Sequence, residues 1–173
     1  TIKRSDGIIL IYSQYINAGC LPMALALEEL GITRYGRKPL FKESPHPPID
    51  YKTMKPKTGD EDSFIPAKYA MITGDVLLSP NRNKDEMSAI TNPQNINGEL
   101  VKVVIISKAG AEGLDFKNIR QVHVLEPWYN LNRIEQVIGR AVRTCSHKAL
   151  PFSKRNVEIY LYATNRVDKK NLY

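Results

Sequence analysis

The 173-residue chain has only two cysteines, Cys20 and Cys145, and they form no Cys-x-x-Cys pair. That usage excludes a disulfide scaffold and reads as reduced intracellular thiols. The three histidines, His46, His123 and His147, stand apart from one another, so the sequence carries no metal-ligand spacing. No run approaches the roughly 18 apolar residues that a membrane span needs. The polar opening Thr1-Ile2-Lys3-Arg4-Ser5-Asp6 lacks the apolar stretch of a signal peptide. An intracellular protein without a membrane partner is expected. With 42% hydrophobic and 25% charged residues the composition is globular, which excludes a disordered tail or a fibrous repeat. A chain of this size can bury a core without staples, and one domain covering residues 1–173 is expected.

What the chain does have is positive charge in one place. The net charge is +7, and residues 117–173 hold 11 basic side chains against Glu126, Glu135, Glu158 and Asp168, whereas residues 1–116 are neutral. A localised basic surface attracts polyanions, nucleic acid or nucleotide phosphates, although a solvated basic face has the same composition.

The apolar patterning alternates between strands and helices. Gly7–Ser13 is a short β-branched run that reads as a buried strand. Pro22 suits a first helical turn, Ala, Leu and Glu fill residues 23–30, and Gly31 is placed to stop the helix. Residues 36–68 change character: Pro39, Pro45, Pro47, Pro48, Pro56 and Pro66 break any periodicity, so an irregular insertion is expected. Strands are read at 68–73, 101–106, 121–125 and 157–162, with helices over 82–90 and 130–143. The order implies an α/β fold with a parallel sheet and helices on both faces. Ligands of such sheets gather at the carboxyl ends of the strands, which points to the loops after Ser13, Thr73, Ser107 and Glu126.

Two segments are chemically loaded. In Ser107-Lys108-Ala109-Gly110-Ala111-Glu112-Gly113-Leu114-Asp115-Phe116 the small residues permit close backbone approach to an anion. Ser107 and Lys108 can donate to a phosphate, and Asp115 can accept from a ribose hydroxyl. A turn in which Gly110 and Gly113 only supply unusual backbone angles is the competing reading. In Gln136-Val137-Ile138-Gly139-Arg140-Ala141-Val142-Arg143 the arginines are three apart, which puts both on one face of a continuous helix. Gly139 removes a side chain that would block that face. Two solvated arginines near a helix C-terminus are the alternative.

Taken in order, Ser13, Thr73-Gly74-Asp75, Ser107–Phe116 and Gln136–Arg143 resemble motifs IV to VI of the C-terminal RecA-like domain of superfamily 2 helicases. The Gln-x-x-Gly-Arg-x-x-Arg pattern of motif VI is matched in full. Leu125-Glu126-Pro127-Trp128-Tyr129-Asn130 looks like the Trp-Asn segment of the Snf2-like branch. Lys55-Pro56-Lys57, Asp115–His123 and Arg155–Tyr160 are similar to helicases of large nucleocytoplasmic DNA viruses of mimivirus, phycodnavirus and asfarvirus type. That group includes relatives of the poxvirus early transcription factor and of nucleic-acid-dependent nucleoside triphosphatases.

The resemblance implies an ATP-dependent helicase or translocase, in which Arg143 is the arginine finger and Arg140 its companion at the γ-phosphate. Gln136, Gly139, Gly113, Asp115 and Glu112 would serve the nucleotide side and the interdomain cleft. Ser13, Thr73, Gly74, Ser107 and Lys108 would lie along the DNA or RNA backbone. There is no Gly-x-x-x-x-Gly-Lys-Ser/Thr loop and no Asp-Glu-x-His or Asp-Glu-x-Asp box. ATP and Mg2+ are therefore expected on an N-terminal RecA-like domain absent from this chain, and the chain alone is expected to be monomeric and inactive. The other reading is a non-catalytic nucleic-acid-binding or docking module of a viral transcription complex. In a viral protein the expected compartment is the infected-cell cytoplasm or the virion. Trp128 reads as packing, His147 as a surface residue, and Lys52, Lys55 and Lys57 of the insertion as a solvated charge run.

Overall fold

The computed structural model describes residues 1–58, 63–79, 83–109, 115–127 and 130–163. Six strands form one sheet: β1 (Ile8–Tyr12), β2 (Thr33–Arg34), β3 (Lys68–Ile72), β4 (Val103–Ile106), β5 (Ile119–Val124) and β6 (Glu158–Leu161). Their order is β2-β3-β4-β1-β5-β6, and each neighbouring pair is parallel. β1 lies between β4 and β5, with Leu10 opposite Val104 on one side and Val122 on the other. Flanked on both edges and covered on both faces, a strand gains from apolar side chains at every position, and Ile8, Ile9, Leu10 and Ile11 are fully buried.

Alternation along the strands splits the core in two. Ile8 and Leu10 of β1 join Val104, Ile106, Val122 and Val124 on one face, against Ala89 and Ile90 of α2 (Lys84–Thr91) and Ile134 and Ala141 of α3 (Leu131–Ala141). Ile9 and Ile11 join Tyr69, Met71, Val103 and Ile105 on the other, against Ala24 and Leu27 of α1 (Leu21–Glu29). Each fully buried aliphatic side chain contributes about 1.5–3 kcal/mol relative to exposure.

Local chemistry sets the helix ends. A π-helical turn over Ile16–Cys20 runs directly into α1, with Pro22 in the first turn after it, and Gly31 ends the segment at φ +86°. A β-carbon at Gly31 would press on the Pro47 carbonyl at 2.5 Å, so the stop is also a close approach to the insertion. Asn130 caps α3 by accepting from the Asn132 amide at 3.0 Å. α3 ends at Ala141, two residues before the expected Arg143, because Val142 leaves helical geometry at φ −113°, ψ 71°.

The stretch 36–68 is irregular, as its prolines require, yet it is anchored. Ile49 and Met54 are buried in the α1-side core. Ile49 bridges Pro56 and Asp50 bridges Pro66. The Asp50 carboxylate accepts from the amides of Lys52, Thr53 and Ile65 at 2.8–3.1 Å. Burial alone would raise the carboxyl pKa, but the Thr53, Ile65 and Lys52 amides outweigh it and hold Asp50 below the usual range. Buried Glu28 of α1 accepts from the Leu40 and Phe41 amides and from the Tyr69 hydroxyl, fastening the other end of the stretch.

Candidate functional site

At the carboxyl ends of β1, β3 and β4 the structure brings Ser13, Thr73 and Ser107 into one row. Their hydroxyls turn inward. Ser107 Oγ donates to the Thr73 carbonyl at 2.6 Å, Thr73 Oγ1 pairs with Ser79 Oγ at 3.0 Å, and Ser13 Oγ donates to the Glu126 carboxylate at 2.8 Å. All three residues are essentially inaccessible. These side chains therefore cross-link the strand ends that the resemblance places near a nucleic-acid backbone. Residue type is legible in a sequence, whereas inward rotation depends on partners such as Ser79 and Glu126.

Glu126 is the main addition to the row. It accepts from Ser13 Oγ and from the Gln14 amide, and Ser13 Oγ also bonds the carbonyl and amide of Tyr15. Gly19 closes over this cluster, since a β-carbon there would collide with Ser13 Oγ and press on Glu126 Oε1. Cys20 lies beneath, and burial pushes its thiol up to about 12, so it is inert as a nucleophile.

What the row leaves at the surface is backbone and the following loops. Gly74 turns the chain at φ +75°, after which Asp75 Oδ1 accepts from the Leu77 and Leu78 amides. Lys108 is exposed one residue past Ser107. The candidates Glu112 and Gly113, with Gly110 and Trp128, lie outside the described residues.

The second group is built on α3. Gln136 is exposed, Gly139 and Arg140 are half-buried, and a β-carbon added at Gly139 would meet no described atom within 4 Å outside its own helix and chain neighbours, so the surface over Gly139 is open. Arg143 lies past the helix end, so helical spacing does not hold it beside Arg140. Two other contacts position it: Arg143 Nε donates to the Gly139 carbonyl at 3.2 Å, and Nη1 meets Asp115 Oδ1 at 2.6 Å. The paired side chains are 52% and 60% exposed. The Phe116 amide bonds the Arg140 carbonyl, and buried Phe116 packs in the core beneath α3. Asp115 is thereby tied to Arg140 and Arg143. It belongs with the arginines and not with the Ser13–Thr73–Ser107 row, because the chain at 115–118 runs back toward the start of β5.

The loop after α3 corrects one expectation. His147 is buried, with Nδ1 paired to Ser146 Oγ at 2.8 Å and Nε2 to the Ile119 carbonyl at 2.5 Å. The Asn118 amide bonds the Ser146 carbonyl as well. A lone histidine in a polar segment carries no sign that it will dock on a strand end. These contacts fix the position from which Arg143 emerges.

Residues 58–145 match the family described as helicase conserved C-terminal domain. The chain belongs to this helicase family. The matched region contains both the Asp115–Arg143 pair and the Thr73 and Ser107 strand ends, while β1 and Ser13 precede it. The chain is 36% identical to a termination factor NPH-I homolog of African swine fever virus, over 93% of this chain and 24% of that protein. It is 34% identical to a protein of Acanthamoeba polyphaga mimivirus named for ATP-dependent RNA helicase activity, over 98% of this chain and 25% of that one. The chain thus spans about a quarter of the length of these relatives. A crystal structure of the C-terminal part of the Fun30 ATPase domain superposes with a TM-score of 0.54 at 13% identity, covering 90% of this helicase domain and 34% of that chain. The six-stranded parallel sheet and this likeness give the domain a RecA-like α/β fold. No helix among the described residues is long and apolar enough to cross a membrane.

Proposed function

We propose that this domain is the C-terminal motor half of an ATP-dependent nucleic-acid helicase or translocase, completing an ATP site whose phosphates and Mg2+ are held by an N-terminal RecA-like domain. The observation that carries the reading is Arg143 standing beside Asp115 at the end of the Gln136–Gly139–Arg140 stripe, with open space over Gly139.

In this reading the Arg143–Asp115 pair is a resting contact. An ion pair this exposed is worth about 0–1 kcal/mol in water, so a nucleotide phosphate entering the cleft outcompetes it. Arg143 then neutralises charge developing on the transferred phosphoryl group, and Arg140 assists from the same stripe. Released Asp115 is left to accept from a ribose hydroxyl. Gln136 at the exposed start of the stripe contacts the partner domain.

The nucleic-acid side is the row at the strand ends. Ser13, Thr73 and Ser107 act by setting the loops after β1, β3 and β4, and Gly74 and Lys108 meet phosphates directly. Closure of two such domains on ATP and reopening after hydrolysis would shift these loops along one strand.

The test is ATP turnover by the 173-residue chain beside that of a protein joining it to a P-loop domain, with DNA and RNA supplied separately. No turnover by the chain alone and nucleic-acid-stimulated turnover by the joined protein are expected. Robust turnover by the chain alone would overturn the shared-site reading.

A further inference from the structure

Among the described residues, the most deeply buried cation lies away from the candidate motor residues. Lys102, the residue before β4, is 1% exposed, and its Nζ donates to the Ser5 carbonyl at 3.0 Å and the Asn97 carbonyl at 3.4 Å. No carboxylate lies within ion-pair distance of it among the described residues. Taking an ammonium out of water without a counter-ion costs several kcal/mol, and two carbonyls satisfy only two of its three N–H groups.

The surroundings are built around this side chain. A β-carbon at Gly98, which sits at φ +96°, would press on the Lys102 stem at 2.7 Å, so the 97–99 turn closes over it only as glycine. The Glu99 carboxylate holds Asn97 through its amide and its Nδ2, both at 2.8 Å, which aims the Asn97 carbonyl at Lys102. Lys102 opens into a cavity of about 250 Å³ at the amino ends of β1 and β4, lined also by Asp6, Tyr51, Lys52, Asn97 and Lys154. Three lysines face one carboxylate there. A smaller cavity of about 150 Å³ adjoins it through Asp6 and adds Arg4 and Arg120. Arg120 spends its hydrogen bonds on the Asn156 carbonyl and Oδ1, and its charge faces Glu158, which lines the same small cavity. Part of the basic excess of the last third of the chain, Arg120 and Lys154, is therefore concentrated here.

We propose that this cavity is a second anion site, which takes a phosphate group between Lys102, Lys52 and Lys154. Asp6, Glu99 and Asp50 act on Lys102 only from beyond ion-pair distance, and the phosphate supplies a counter-charge in direct contact, through charge-assisted hydrogen bonds to ammonium groups. The Tyr51 hydroxyl, kept protonated by burial and by the Glu99 and Asp50 charges, is a further donor at the wall. Burial holds the Lys102 ammonium down to about 8, with Asp6, Glu99 and Asp50 pulling it up and Arg120 pushing it down, so a bound phosphate raises it. The proposal is independent of the motor reading, since no lining residue of the cavity is a candidate motor residue. A nucleic-acid backbone and a free polyphosphate both present this chemistry.

The experiment is calorimetric titration of the 173-residue chain with inorganic pyrophosphate and, separately, with a dT12 oligonucleotide. Lys52→Ala/Lys154→Ala removes two exposed charges without touching the core, and Lys102→Met keeps the buried stem, with folding checked by circular dichroism. Saturable pyrophosphate binding that weakens at least tenfold in the double variant is expected, together with a rise of the Lys102 titration midpoint on binding, followed by NMR of the lysine ammonium group. If dT12 competes with pyrophosphate, the natural source is a nucleic-acid backbone; if it does not, the source is a free polyphosphate. Absence of saturable binding, or binding unchanged by the double variant, would overturn the site.

Discussion

Arg143 Nη1 lies 2.6 Å from Asp115 Oδ1, joining two residues that the sequence assigns to different motifs and different ligand groups. Both side chains are more than half exposed, and the arginine is held on its other side by the Gly139 carbonyl. A guanidinium kept in place but only weakly paired suits a group that must change partners when a phosphate arrives.

The weakness of that pair is measurable. A double-mutant cycle with Asp115→Asn and Arg143→Gln, read from urea unfolding, is expected to give a coupling energy below about 1 kcal/mol. A coupling of several kcal/mol would make the pair a structural clamp.

Gly19→Ala tests the closed corner at the end of β1. The new methyl collides with Ser13 Oγ and Glu126, so a loss of about 1–3 kcal/mol is expected in chemical denaturation. Ser13→Ala leaves Glu126 without its hydroxyl donor and is expected to cost about 1–2 kcal/mol. If Ser13→Ala instead left stability untouched while weakening nucleic-acid binding directly, the hydroxyl would be a ligand contact after all.

His123 gives the domain an acid-sensitive window. Buried between Tyr162 Oη and Gln121 Oε1 and stacked on Tyr160, it has its pKa pushed by burial from 6.5 to about 4. The folded state stays neutral where the unfolded state binds a proton, so the contribution is complete above about 6.5 and is lost as pH falls toward 4. Urea midpoints are expected to drop across that interval in the wild type and to drop less in His123→Gln.

Asp50 acts at lower pH by the same linkage. Its folded pKa lies below the ordinary carboxylate value of about 3.9, so its stabilisation is present above that value and disappears as pH falls through the folded one. Asp50→Ala is expected to lose about 1–3 kcal/mol at neutral pH, because three amides lose their acceptor. Limited proteolysis should find the 36–68 stretch cleaved faster in that variant.

Much of the fold is legible in the sequence because its signals are local. β1 and β4 announce themselves as short apolar runs rich in β-branched residues, and α1 is bracketed by Pro22 and Gly31. Two-residue β2 carries too little pattern to be seen, and it exists because the Thr33 amide bonds the Ala67 carbonyl across the sheet edge. The prolines of 36–68 mark irregularity but not the burial of Ile49 and Met54, which depends on the apolar face of α1 being there to receive them. In the candidate site, the arginines and serines are legible as residue types. Their directions are not, since Ser13 and Ser107 turn toward Glu126 and Thr73, both distant in sequence, Thr73 turns toward Ser79 across a tight turn, and Arg143 is placed by a helix end two residues earlier. Lys102 sits inside an apolar run, Val101–Ile106, where nothing local distinguishes an edge lysine from one buried beneath a cavity.

The measurement that tests the central claim most directly is nucleic-acid-stimulated ATP turnover by the domain joined to a P-loop domain, wild type beside Arg143→Ala, with folding checked in both. The account predicts a fall in kcat of about 10³-fold or more with the unfolding midpoint preserved, since an arginine finger acts on the transition state and an exposed ion pair adds little stability. Undiminished turnover in Arg143→Ala would contradict it.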